Sequence, residues 1–164
     1  MDNEALLKID VELDPTEWHG HACELLWAEP RTAPGDVGKV LKLVNTPYFA
    51  KKLSWGDIVQ VQLSCDDNRY KIGRVLERSG HSTYRVLVDP ENSKFDSYLA
   101  HLKKLGCRYE RATLELPEGS RVLYAIDIPP DADVYAAYSI FEQGEKDSTF
   151  VFEEGHVGHR LRGA

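Results

Sequence analysis

The hydrophobic period of this chain changes near residue 80, and no other feature restricts its fold as strongly. Lys8-Ile9-Asp10-Val11-Glu12-Leu13 alternates with period two, as a half-buried strand does. Residues 22–28 form a second apolar run, followed by Pro30 and the turn cluster Pro34-Gly35-Asp36. Residues 38–44 carry apolar side chains on both faces, which predicts a strand in a closed or covered sheet, and Asn45-Thr46-Pro47 stops it. Ser54-Trp55-Gly56-Asp57 turns into the run 58–63. Asp66-Asp67-Asn68 is a hairpin signal leading into Tyr70–Leu76. Five short strands joined by polar turns predict a small bent sheet or barrel.

Beyond residue 80 helical spacing appears. Tyr84–Val88 reads as a strand. Ser93, with Asp96 three positions on, predicts a capped helix start. Phe95, Tyr98, Leu99, Leu102 and Leu105 then fall on one face, and Gly106 suits the C′ position. Arg108–Leu114 and Val122–Ile128 read as strands around the turn Pro117-Glu118-Gly119. Pro129-Pro130-Asp131 predicts a second helix start, with Val134, Ala137, Tyr138 and Phe141 on its apolar face and Gly144 at its end. Thr149–Phe152 is the last strand. The expected fold is therefore α+β, with a β-rich barrel-like module over residues 1–80 packed on a ferredoxin-like βαββαβ module over 81–155. Residues 156–164 read as a frayed tail. The join at Ser79-Gly80-His81-Ser82 is short, so the modules should pack together.

Charge is distributed unevenly. The 164 residues carry a net charge of −7. The segment 127–154 holds eight acids against Lys146 alone and so contains the whole excess, while 66–111 is mildly basic. An acidic patch repels phosphates and steers basic partners, although a solvated face that only keeps a protein soluble reads the same way. No apolar run approaches the ~20 residues of a membrane span. Met1-Asp2-Asn3-Glu4 lacks a secretory pattern, and Cys23, Cys65 and Cys107 are an odd, widely spaced set. Free thiols in a reducing cytoplasm are expected.

Several motifs join at the block from Asn45 to Arg85. The ordered set is Glu24–Glu29, Asn45–Ala50, Gly56–Val59, Arg78–Arg85, Leu105–Cys107 and Ile128–Pro130. It resembles a bacterial family catalogued as domain of unknown function 4265, over roughly residues 8–155. The resemblance implies a small bacterial cytosolic protein and supplies no activity and no catalytic residue.

The residues themselves favour binding over catalysis. His19, His21 and Cys23 would point one way on an extended segment and could share a zinc ion, but the paired spacing of structural zinc is absent. Arg78, Ser82 and Arg85, with Gly80 freeing the backbone, could cradle an anion; a hairpin whose hydroxyls satisfy its own backbone is the plainer reading. Cys107 lacks a base, because the helix carrying His101 ends between them, and a buried small apolar role suits it better. Asp66-Asp67 and Glu153-Glu154 point to opposite faces if extended. Tyr84, Tyr109 and Tyr124 could serve a nucleic-acid-binding sheet, but the aromatic-and-glycine strand signature is missing and the charge opposes it.

The sequence accordingly predicts a non-enzymatic protein-binding module with no cofactor or metal. The specific expectation is an immunity protein neutralising a basic toxin, with Asp131, Asp133, Glu142, Glu145 and Asp147 in the contact and Tyr135 or Phe141 as anchor. No nucleic-acid or membrane partner is expected. The alternative is a sensor or enzyme binding an anionic ligand between the modules through Arg78, Ser82 and Arg85.

Overall fold

Five strands close into a barrel in chain order: β1 (Leu7–Glu12), β2 (Cys23–Pro30), β3 (Lys39–Leu43), β4 (Ile58–Leu63) and β5 (Tyr70–Glu77). The structure is a computed structural model that describes residues 5–31 and 39–163. The predicted turn at Pro34–Asp36 and the acidic start at Met1–Glu4 lie outside the described residues. Sequential neighbours pair antiparallel. A short parallel seam, Ile9 opposite Tyr70 and Asp10 opposite Lys71, closes the barrel between β1 and β5. Closure lets period-two strands bury one face without leaving a long bare edge. Ile9, Val11, Leu26, Ala28, Leu41, Leu43, Val59 and Val61 fill the interior.

The second half contains β6 (Ser82–Val88), α1 (Phe95–Lys104), β7 (Arg108–Leu116), β8 (Gly119–Ile128), α2 (Val134–Lys146) and β9 (Phe150–His156). Its sheet runs β7-β8-β6-β9, antiparallel throughout. Both helices pack on one face. Phe95, Leu99 and Leu102 of α1 and Val134, Ala137 and Phe141 of α2 meet Tyr84, Val86, Val88, Val122, Tyr124, Ile126 and Phe150. Burying a side chain such as Leu or Phe contributes about 1.5–3 kcal/mol. The other face is also largely covered: Thr83, Arg85, Leu123, Ala125 and Asp127 are buried. Central strands covered on both sides lose their polar alternation, hence the nearly continuous burial of β6 and β8.

Three local expectations change. Ser93 does not cap α1: the cap position is Lys94, without a side-chain bond, and Asn92 Oδ1 accepts from the Lys94 amide. Asn92 is itself anchored, donating to the Thr149 carbonyl. The second helix starts later than Asp131, at Asp133, whose carboxylate accepts from the Tyr135 and Ala136 amides at 3.0 Å each. Gly144 does not end α2. It sits inside the helix, where a Cβ would lie 2.1 Å from the Phe150 ring, so it is the gap into which that ring packs. Gly106 does occupy the C′ position of α1 (φ 93°). Its amide donates to the Lys103 carbonyl and the Cys107 amide to Leu102, a Schellman pairing.

The last strand runs on to His156, and the segment beyond it is held rather than frayed. His159 Nδ1 pairs with the buried Ser82 hydroxyl at 2.6 Å, and its Nε2 donates to the Pro129 carbonyl at 2.8 Å. The Arg162 amide donates to the Tyr135 hydroxyl, and its guanidinium covers that ring.

Candidate functional site

The loop after β3, residues 45–50, joins the barrel to the second sheet. Glu24 is an inward-facing acid on β2. Its carboxylate accepts from the amides of Tyr48 (2.6 Å), Phe49 (2.9 Å) and Ala50 (2.8 Å). Arg85 reaches the same loop from β6. Its Nη1 donates to the carbonyls of Pro47 and Ala50, its Nη2 to those of Phe49 and Ala50, and its Nε to Glu153 at 3.0 Å. A guanidinium has five N–H donors, and Arg85 makes five bonds. Gly155 permits this, since a Cβ there would stand 2.4 Å from Nη1.

Two further buried carboxylates complete the seam. Asp57 accepts from the amides of Ser54 and Ser79 and from Arg78 at 3.1 Å. Asp127 accepts from His81 Nδ1 at 2.7 Å and from two nitrogens of Arg108. Trp55 lies against His81, with Arg108 stacked 4.5 Å from its centroid. Beside the His81–Asp127 pair, the Ser79 hydroxyl donates to the Trp55 carbonyl and accepts from the His81 amide. Glu110 accepts from the Thr46 amide, and burial raises its carboxyl above the usual range.

Arg78, Ser82 and Arg85 therefore do not converge on a common opening. Arg78 binds Asp57 and the Lys52 carbonyl. Ser82 is fully buried on His159, and Arg85 is saturated by carbonyls and Glu153. Sequence reasoning missed Glu24, Asp57 and Asp127. For Glu24 a signal existed: it shares the inward face of β2 with Leu26 and Ala28.

The acidic segment divides by role. Asp133 caps α2, and Asp147 binds the Thr149 amide and hydroxyl and the Tyr98 hydroxyl; those bonds hold its carboxyl below the usual range. Phe141 is buried and unavailable as an anchor, and Tyr135 is engaged by Arg162. All five of Asp131, Asp133, Glu142, Glu145 and Asp147 are exposed. Glu142 and Glu145 border an open groove of about 550 Å³ that also includes Tyr138, Lys146 and Phe152. Glu145 additionally accepts from the Phe152 amide, covering part of the β9 edge.

His19 and His21 occupy a turn rather than an extended run. Each bonds to the other's residue, His21 N–H to His19 Nδ1 and His21 Nδ1 to the His19 carbonyl, and both rings pack on Phe49. Among the described residues no group of three or more His, Cys, Asp or Glu could hold a metal ion. Burial pushes the Cys107 thiol up to about 11, so it is no thiolate at neutral pH. Tyr84 and Tyr124 lie beneath the helices, stacked and tilted on Phe141 and Phe95, not on an open platform. Among the described residues no helix is long and apolar enough to cross a membrane.

The family model described as domain of unknown function (DUF4265) matches residues 24–152, and the chain belongs to that family. A hypothetical protein from Neisseria gonorrhoeae, known from its crystal structure, superposes with a TM-score of 0.70 at 18% identity, over 94% of this chain and 96% of that one. At that identity the likeness shows the fold alone. No curated protein matches the chain.

Proposed function

We propose that this member of the DUF4265 family is a non-enzymatic protein-binding module, an immunity protein that neutralises a basic toxin through the exposed flank of α2. The observation that carries the reading is the placement of Glu142 and Glu145. Both are exposed and border one groove with two aromatic residues, Tyr138 and Phe152, beside them. Acids around an aromatic-lined groove suit a basic partner, with charge setting the association rate and the aromatics the hold. Asp131 belongs to the same exposed set. Asp133 and Asp147 support it from the helix ends, and Tyr135 contributes from beneath Arg162. The strand order β7-β8-β6-β9 with two helices on one face supports a ferredoxin-like reading of this half. Three free thiols, two of them exposed, favour the cytoplasm as its place of work.

The test is to express the product of the adjacent gene alone and together with this chain. Toxicity alone, and rescue by the wild-type chain but not by the double variant Glu142→Lys/Glu145→Lys, is the expected result. Association of the pair should slow by about tenfold or more between low and high salt. A harmless neighbour, or full rescue by the double variant, rejects the reading.

A further inference from the structure

A second opening lies where the barrel meets the helix-free face of the sheet. Register sets its walls. Leu123 of β8, Leu87 of β6 and Val151 of β9 stand abreast, because Leu87 pairs with both Leu123 and Val151. Two pairs along, and so on the same face, Arg85 stands opposite Glu153. Trp18, from the connection between β1 and β2, faces them; its ring is held edge-on by Phe49 and His19. Together with Phe152 and Glu118 these residues enclose a cleft of about 250 Å³. Val151 is 57% exposed and Trp18 42% exposed, so two large apolar groups meet water at its mouth.

We infer that this cleft binds a small organic cation, an amine carried on an aromatic or short alkyl body. The walls select an apolar body, and the volume limits it to something smaller than a typical drug-sized ligand. The charges select the sign. Arg85 is the cationic side chain lining the cleft, and each of its five N–H directions is taken by the carbonyls of Pro47, Phe49 and Ala50 and by Glu153. It has no N–H left to donate to an anion. Two carboxylates, Glu153 and Glu118, border the same space, and the Glu153 side chain is 34% exposed. Among the side chains lining the cleft, one guanidinium stands against two carboxylates, an excess of one negative charge. An ammonium near Glu118 and Glu153 balances it, and its body gains apolar and aromatic contact with Trp18. This opening shares Phe152 with the α2 groove but uses neither Glu142 nor Glu145.

Phenethylamine and 3-phenylpropionate, similar in body and opposite in charge, are the probes. The readout is the indole N–H resonance of Trp18, assigned with Trp18→Phe. Phenethylamine should shift it saturably with a Kd of about 1 mM, and the acid should bind at least about tenfold more weakly. Two variants at exposed positions leave the fold intact, as an unchanged melting temperature would show. Glu118→Gln should weaken the amine about threefold, and Val151→Lys should abolish its binding. Equal or tighter binding of the acid, no saturable shift at 10-fold above the expected Kd (about 10 mM), or an amine shift that survives Val151→Lys overturns the inference. So does a dimer that Val151→Lys dissociates, because the cleft's occupant would then be a second copy of the chain.

Discussion

Glu24 and Arg85 hold the same loop by opposite polarities without touching each other. The carboxylate of Glu24 collects the amides of residues 48–50, and the guanidinium of Arg85 collects the carbonyls of Pro47, Phe49 and Ala50. Glu24 belongs to the barrel and Arg85 to the second sheet, so the loop is a polar rivet between two apolar cores.

Arg85→Met should cost about 3–5 kcal/mol in urea unfolding, because it strands the carbonyls of Pro47, Phe49 and Ala50 and the Glu153 carboxylate. Arg85→Lys should recover little of that. A single ammonium cannot reproduce a planar fork facing several carbonyls. A lysine variant as stable as wild type would mean that charge, not fork geometry, holds the loop.

Gly144→Ala tests the opposite of an ordinary helix rule. Alanine in a helix interior normally gains up to about 1 kcal/mol over glycine. Here the new Cβ would meet the Phe150 ring at 2.1 Å, so a net loss of about 1–3 kcal/mol is expected from overpacking. Phe150→Leu in the same chain should relieve part of it, which a double-mutant cycle would register.

Glu110 supplies a pH dependence with a definite sign. Burial raises its folded-state carboxyl above the unfolded value. Protonated Glu110 therefore favours the folded state, and that contribution is lost as pH rises through its folded pKa. Glu110→Gln keeps an acceptor for the Thr46 amide but cannot ionise. The stability of wild type relative to this variant should fall as pH rises through and above the ordinary carboxylate range, as read by urea midpoints. A constant difference would show that Glu110 titrates as it does unfolded.

Asp131 and Asp133 carry the same charge two residues apart, yet only Asp133 accepts helix amides. Asp133→Ala should cost about 1 kcal/mol, and Asp131→Ala should be near neutral in thermal melts.

Much of this fold was legible in the chain. Alternation through Ile9–Val11 and Val59–Val61 marked barrel strands, and Phe95, Leu99 and Leu102 or Val134, Ala137 and Phe141 marked helix faces, because periodicity depends only on which side meets a core. Helix ends were less legible. Ser93 looked like a cap, but the neighbouring Asn92 is tied to Thr149, 57 residues away. Gly144 looked like a terminator until Phe150 was placed against it. The sites were least legible of all. Arg78, Ser82 and Arg85 sit close together in sequence, as an anion cradle would, yet each turns to a partner 21 or more residues away.

By itself, then, the sequence determined the element order, the change from a period-two half to a mixed half, and the location of the charge excess. Each of these depends on local spacing or on composition. Only the tertiary structure decided which charges are available. Burial leaves a polar group no solvent partner, so Glu24, Asp57, Arg85 and Asp127 must bond to partners within the protein. Glu142 and Glu145, on an exposed helix flank, face solvent.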